Sequence, residues 1–292
     1  VLLLALELVD RVRVRDELDV ARELQADLLP RGELPELSGY RFAHSYRTAN
    51  EVGGDYYAIA PLPDGRIAVL VADASGHGMA AGLVMAIADA TFRTALDLDP
   101  SPEKVMAVLN RTLCRTGTRR TFLSVFYALL TPETGDFQYV CAGHPFPLLR
   151  HGSSVAEIGC GGLPLGIREM AFQARTANLA PGDTLLLYTD GLAEAVDPQG
   201  KEAFGYERIR GLAQSGGAPQ SVHDRVLAAF DQHVGGEPLH DDLTLLVMTR
   251  LYSSVGSKDH PELSKAMEHG YREEAERPSL DPDWVIAEKD GL

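Results

Sequence analysis

The chain has 292 residues, of which 45% are hydrophobic and 24% are charged, so it is long enough to bury a sizeable core. Its formal net charge of -15 makes nucleic acid and anionic membrane surfaces unfavourable partners. Its three cysteines form no Cys-x-x-Cys pair, which favours a reducing, cytoplasmic setting over a fold held together by disulfides.

The first thirty residues predict a helix that precedes the main fold. Residues 1–9 are mostly apolar, but a bilayer needs about 20 such residues, so no membrane insertion is expected. Apolar residues then recur at roughly helical spacing until Pro30 ends the helix. Two interpretations stay open: a helix packed on its own domain, or a linker and signalling helix over residues 1–30. The linker would join an upstream sensor domain and pair two copies of the chain as a homodimer.

From Gly39 the pattern changes to short strands in hairpin order, with helices inserted in pairs. This order favours α+β layers over a β-α-β winding. Strands are predicted at residues 40–48, 55–60, 66–73, 121–130, 137–141, 147–150, 155–158, 172–178, 184–188 and 243–249, and helices at 77–98, 101–115, 206–213 and 219–233.

The end of the chain has a different composition. From Tyr252 acids outnumber bases, apolar residues are scattered and three prolines interrupt, which predicts an acidic, loosely ordered tail with a short helix near residues 262–275. The predicted domains are therefore the helix at 1–30, a globular domain at 31–250 and the tail at 251–292.

Several acids share one setting, the edge of an apolar strand. Such a carboxylate is costly to bury unless something pairs with it, and no Lys or Arg lies close to Asp73 in sequence. A single Asp at a strand end is usually a turn former or a helix cap, but four such sites in one domain indicate more. Clustered carboxylates would raise one another's pKa unless a divalent cation neutralised them, and oxygen ligands suit Mg²⁺ or Mn²⁺. The positions are Asp55, Asp73, Asp190 and the pair Asp241–Asp242.

Other motifs carry weaker signals. The glycines around His77 resemble a dinucleotide-binding fingerprint, but no second strand ends in an acid about 20 residues on. Ser75 is not in a Gly-x-Ser-x-Gly elbow, which argues against a serine hydrolase. His144 is interpreted as a turn or packing residue, and Cys141 and Cys160 as buried thiols.

Six motifs follow one another at ordinary spacing: GGDYY, VADASGHG, CAGHPFPLL, GGLPLGI, YTDGLAEA and DDLTLLV. Together they resemble the metal-dependent protein phosphatases (PPM, type 2C), in the bacterial branch typified by SpoIIE and RsbU, over residues 25–250. The resemblance implies an α-β-β-α sandwich, two antiparallel sheets flanked by helix pairs, with a two-metal site at one edge. It also implies hydrolysis of phosphoserine or phosphothreonine on a protein, by a water that two Mn²⁺ or Mg²⁺ ions share.

The resemblance further implies which residues bind the ions. Asp73 would bridge both ions, and Asp241 is preferred over Asp242 in the last motif. The implied ligands are Asp55, Asp73, the backbone carbonyl of Ala74, Asp190 and Asp241, with Asp242 as the alternative.

Two positions differ from the pattern of the family. Ala58 stands where members of the branch often have a second Asp. His77 would either donate the leaving-group proton or fix the start of the following helix, and its turn is longer than in the eukaryotic branch. Both roles stay open.

The branch also implies a substrate class. It would be a small phosphorylated regulator, such as an anti-sigma-factor antagonist in partner-switching signalling. A function of another class stays open, namely a phosphatase-like binding module that signals by contact with little or no turnover. The intact set of acids favours the enzyme, because a module freed of catalysis need not keep it.

Overall fold

The computed structural model describes residues 18–30, 32, 34, 36–116, 121–159 and 161–252. Ten strands form two five-stranded antiparallel sheets, which pack against each other through a shared apolar core. The strands are β1 (Tyr40–Arg47), β2 (Asp55–Pro61), β3 (Ile67–Ala74), β4 (Leu123–Leu130), β5 (Asp136–Ala142), β6 (Leu148–His151), β7 (Ser154–Glu157), β8 (Arg175–Asn178), β9 (Thr184–Tyr188) and β10 (Leu243–Arg250).

The strand order places early and late segments of the chain side by side. Sheet A has the order β1-β10-β9-β6-β7, and sheet B has the order β2-β3-β4-β5-β8. The central strand β4 is buried along its whole length, because a helix packs on it and its residues belong to the apolar core that both sheets share. Since every strand pair among the described residues is antiparallel, the fold does not contain the β-α-β unit of a dinucleotide-binding domain.

Helices cover both outer faces. Helices α2 (Met79–Leu98) and α3 (Pro102–Thr116) pack on sheet B, and α5 (Tyr206–Gln214) and α6 (Pro219–Val234) pack on sheet A, which confirms the predicted α-β-β-α sandwich. The apolar residues form one core between the sheets and under α2 and α3, and a second under α5 and α6. The other helices among the described residues are α1 (residues 18–28) and α4 (Asp190–Glu194).

Helix α2 is long and apolar enough, by composition, to cross a membrane. Half of its apolar window is buried inside the protein, however, with Met85 and Phe92 in the core under sheet B. This is the burial of a core helix.

Beyond shifts of one or two residues at other boundaries, three local features differ from the sequence-based expectation. The strand predicted from Phe172 begins at Arg175, because the Ala174 amide donates to Glu103 on α3 instead of joining the ladder. Strand β4 begins at Leu123, since the Phe122 amide donates to the Ser75 hydroxyl. The five-residue helix α4 was not predicted.

The predictions for residues 1–17, for the tail at 253–292 and for Cys160 lie outside the described residues. The described part of α1 ends at residue 28, two residues before Pro30, as the sequence predicted.

Candidate active site

Two of the predicted acids face each other across neighbouring strands. Asp55 begins β2 and Asp73 is the penultimate residue of β3, and the antiparallel register pairs them directly. Asp55 is 1% exposed, and Asp73 is partly buried. The β2–β3 hairpin therefore brings the first two acidic motifs to one edge of sheet B.

Asp55 is also tied to sheet A. The hydroxyls of Thr189 and Thr244 both donate to Asp55 Oδ2, each at 2.7 Å. The two threonines hold each other as well, because the Thr244 amide donates to Thr189 Oγ1 at 2.9 Å. Both threonines are fully buried, so these bonds fix the Asp55 carboxylate across the gap between the sheets. Neither threonine was predicted from the sequence to act at the site, although each belongs to one of the acidic motifs.

The other acids come from the matching end of sheet A. Asp190 is the first residue of α4, two residues after β9 ends, and Asp241 lies two residues before β10 begins. Since β9 and β10 are antiparallel neighbours, the end of one lies beside the start of the other. Gly191 makes the approach close, because a Cβ there would overlap the Asp242 carbonyl oxygen.

The pKa shifts show that the two pairs of acids act on each other. Burial, and after it the carboxylates of Asp190, Asp241 and Asp242, together raise the pKa of Asp73 to about 7. Burial also raises the pKa of Asp55 well above its usual range, with the Asp73 carboxylate as the next cause. The neighbouring charges that act on Asp55 and Asp73 are negative.

The two acids on sheet A have raised pKa values too. For Asp190 the causes are burial and then the Glu194 carboxylate. For Asp241 burial is the main cause, and the nearby His77 opposes it slightly. His77 is exposed in the turn before α2, on the side of Asp241, and both of its proposed roles remain predictions.

Asp242 and Asp241 have different surroundings. Asp242 is 6% exposed, and its two carboxylate oxygens accept the amides of Ala49 at 2.8 Å and Gly54 at 2.5 Å. Asp241 is exposed and accepts the Asp242 amide at 2.9 Å. The carboxylate of Asp242 thus holds backbone, while that of Asp241 points to the solvent side, which favours Asp241 as the ligand of the pair.

The backbone beside Asp73 is tightly packed. The Ala74 amide donates to the Gly54 carbonyl at 3.2 Å. A Cβ on Gly54 would stand 2.8 Å from the Ala74 carbonyl oxygen and 3.0 Å from the Ala81 side chain, so only glycine fits. The Ala74 carbonyl, an implied ligand, therefore lies against the glycine that precedes Asp55.

Three other residues have structural surroundings. Ala58 is buried in β2 opposite Leu70, so no acid lies at that position. His144 is 4% exposed, donates from Nδ1 to the Pro145 carbonyl, and has a pKa that burial lowers to about 4. The Cys141 thiol is buried and donates to the His144 carbonyl. His144 and Cys141 thus have the packing roles that the sequence indicated.

The acids form an open edge and not a closed cage. Within the described ranges, no three His, Cys, Asp or Glu side chains come together closely enough to make a ready-made metal site. Mg²⁺ is usually held by one or two carboxylates together with waters and substrate phosphate, not by an all-protein cage. An all-oxygen set whose neighbouring charges are negative fits a hard divalent cation of this kind.

Comparison with known sequences adds the family. Residues 63–251 match the family model described as Stage II sporulation protein E (SpoIIE), a match that begins after Asp55. Protein IcfG of Synechocystis is 24% identical over 85% of this chain and 43% of IcfG. Phosphoserine phosphatase RsbU of Bacillus subtilis is 25% identical over 81% of this chain and 71% of RsbU. The chain thus spans less than half of IcfG.

Solved structures share the fold. The SiaA-PP2C domain of Pseudomonas aeruginosa has a TM-score of 0.73 at 20% identity, over 84% of this chain and 98% of that domain. The catalytic domain of the serine threonine protein phosphatase PstP, in complex with 2 manganese ions, has a TM-score of 0.55 at 14% identity, over 73% of this chain and 99% of that domain. With the family match over residues 63–251, these likenesses lead to one conclusion: the chain belongs to the SpoIIE family and has the fold of the PP2C-type protein phosphatases.

Proposed function

We propose that the protein is a metal-dependent phosphoserine/phosphothreonine protein phosphatase. One observation carries the proposal: Asp55 and Asp73 are paired in register at the edge of sheet B, and the carboxylates of Asp190 and Asp241 act on Asp73. Four acids far apart in sequence thus share one edge of the sandwich. Membership of the SpoIIE family and the likeness to RsbU, a named phosphoserine phosphatase, support the same function.

The residues that would hold two Mn²⁺ or Mg²⁺ ions are Asp55, Asp73, Asp190, Asp241 and the Ala74 carbonyl. The manganese complex of PstP, which shares the fold, supports this choice of metal. When bound, such ions lower the pKa of water and neutralise the oxygens of a phosphate group.

The protein's own contribution is to orient the carboxylates in advance. Thr189 and Thr244 fix the Asp55 carboxylate through its Oδ2 atom. Asp242 holds the Gly54 amide, so the backbone that leads into Asp55 is fixed as well. Asp73 lies between Asp55 on one side and the carboxylates of Asp190 and Asp241 on the other. A bound cation would therefore stabilise its ionised form the most.

Membership of the family supports a proposal for the substrate and the partners. We propose a small phosphorylated anti-sigma-factor antagonist as substrate, in the cytoplasm, with support from the likeness to RsbU. We also propose that residues 1–30 link an upstream sensor to the phosphatase domain at 31–250, and that 251–292 form an acidic tail. Two apolar side chains one turn apart on α1, Val20 at 56% and Leu24 at 63% exposure, support a homodimer through this helix.

Phosphate release tests the function. We expect turnover of p-nitrophenyl phosphate and of phosphoserine peptides with Mn²⁺, and no turnover with EDTA. Asp73→Asn should lose at least about 100-fold in activity, because replacing a residue that only orients a metal ligand already costs about 10–100-fold. The matched control is Asp97→Asn, since Asp97 is exposed near the end of α2.

Two results would overturn the proposal. Near-normal activity of Asp73→Asn would remove Asp73 from the site. No turnover with any divalent ion, in the full chain with its sensor, would favour the contact-signalling module instead.

A further inference from the structure

Helix α1 reaches the candidate active site through one side chain. Gln25 is only 7% exposed, although its neighbours Leu24 and Ala26 face solvent. Its side-chain amide pairs with both backbone groups of Gly53: Gly53 N–H donates to Oε1 at 2.9 Å, and Nε2 donates to the Gly53 carbonyl at 2.5 Å. A buried amide that satisfies both groups of one residue fixes the orientation of that part of the backbone.

The residue that Gln25 holds lies two positions before Asp55. The intervening Gly54 donates its amide to Asp242 Oδ2 at 2.5 Å. The backbone of the two glycines is thus held by two side chains, Gln25 on α1 and Asp242 just before β10. Glycine restricts its own backbone least of all residues, so these contacts set the path of the chain into Asp55.

The two glycines carry no side chain that could make this contact, and Gly53 has no room for one. A Cβ on Gly53 would stand 2.7 Å from Asp242 Oδ2. The bidentate contact at Gly53 therefore comes from another element, and in the described part of the chain that element is α1.

Helix α1 does not depend on Gln25 alone for its position. Leu29, just after the helix, is 9% exposed and belongs to the main core. Tyr57 donates to the Pro30 carbonyl at 3.3 Å, and Arg93 donates to the Leu28 carbonyl at 3.5 Å. Because these contacts remain without Gln25, a substitution there removes the bonds to Gly53 and leaves the helix docked.

We propose that Gln25 is a positioning residue for the candidate metal site: its amide holds Gly53 and thereby keeps the Asp55 carboxylate oriented to bind an ion. The inference rests on the proposed function and adds a residue that lies in none of the acidic motifs. Residues that orient metal ligands at one remove typically change metal affinity or activity by about 10–100-fold when they are replaced.

Two variants of Gln25 separate pairing from packing. Gln25→Ala removes both bonds, and Gln25→Glu keeps the shape but replaces the donor to the Gly53 carbonyl by an acceptor. We expect the Mn²⁺ concentration for half-maximal p-nitrophenyl phosphate turnover to rise about tenfold or more in both variants, with KM for the substrate changed less than about twofold. In the metal-free protein, hydrogen exchange at the Gly53 and Gly54 amides should become about tenfold faster, with core amides unchanged.

Two controls on the same segment complete the design. Glu23→Ala changes an exposed side chain of α1, and Leu29→Ala weakens the packing of the segment without touching Gly53. Wild-type exchange and Mn²⁺ dependence in both Gln25 variants would overturn the inference. So would a Leu29→Ala variant that reproduces both changes, because helix docking in general would then be the cause.

The outcome is separable from that of the proposed function. If the wild type shows no turnover with Mn²⁺, the phosphatase proposal fails, while hydrogen exchange and Mn²⁺ titration calorimetry still test Gln25. If Gln25→Ala does not fold, as judged by circular dichroism, the isosteric Gln25→Glu carries the test.

Discussion

Replacement of Asp73 by Asn should make the metal-free protein more stable while it removes activity. In the fold the pKa of Asp73 lies at about 7, where an ordinary aspartate titrates at 3.8. Because each pKa unit corresponds to about 1.4 kcal/mol, the ionised carboxylate costs the metal-free fold up to about 4 kcal/mol. Asn has the same shape and carries no charge, so it relieves most of that cost.

The sign of the effect sets its pH dependence. An acid with a raised folded pKa destabilises the fold progressively as the pH rises from about 4 to about 7, and fully above that. Asp73→Asn should therefore match the wild type near pH 4 and exceed its unfolding free energy by about 2–4 kcal/mol at pH 8. Urea unfolding in EDTA at both pH values measures this difference.

Addition of Mn²⁺ should reverse the order, because a bound ion stabilises the wild type and not the variant. Asp97→Asn, at an exposed position, serves as the control and should change neither quantity. A metal-free Asp73→Asn protein that is less stable than the wild type at pH 8 would refute the clustering of carboxylates around Asp73.

Three further predictions concern separate residues. Asp241→Asn should abolish Mn²⁺-dependent phosphate release with little change in stability. Asp242→Asn should lower the unfolding free energy by about 1–3 kcal/mol, because two backbone amides lose a charged acceptor. Equal stability of the two variants in urea would contradict this difference. The pKa of buried His144 is about 4 in the fold against 6.5 ordinarily, so the fold loses stability as the pH falls from 6.5 toward 4. His144→Gln should therefore flatten the dependence of the unfolding free energy on pH by about 2–3 kcal/mol between pH 7 and 4.5. Parallel curves for the variant and the wild type would show that His144 does not titrate in this way. Gly191→Ala should destabilise the fold by more than about 2 kcal/mol, because its Cβ would overlap the Asp242 carbonyl oxygen, and a melting temperature equal to that of the wild type would contradict that packing.

The positions of the strands could be predicted from the sequence, because burial requires a recurring pattern of apolar residues. Strand β3 is apolar on both faces up to an acid, and the structure places it inside sheet B with Asp73 as its penultimate residue. Thr184–Tyr188 was predicted to the residue. The boundaries failed where a side chain competes for the backbone, as Glu103 does at Ala174.

The hydrogen-bond partners of the acids could not be predicted from the sequence in this way. The bonds from Thr189 and Thr244 to Asp55 cross from one sheet to the other, and no local periodicity encodes such a contact. The same holds for Gln25 and Gly53, which are 28 residues apart. Asp242 stays the alternative ligand to Asp241, and the sequence did not predict that its carboxylate accepts the amides of Ala49 and Gly54.

Anomalous diffraction from crystals grown with Mn²⁺ tests the central claim most directly. We expect manganese at the edge where Asp55 pairs with Asp73, with carboxylate oxygens of Asp55, Asp73, Asp190 and Asp241 coordinated to an ion. Manganese bound elsewhere, or Asp73 oxygens that contact no ion at saturating Mn²⁺, would contradict it.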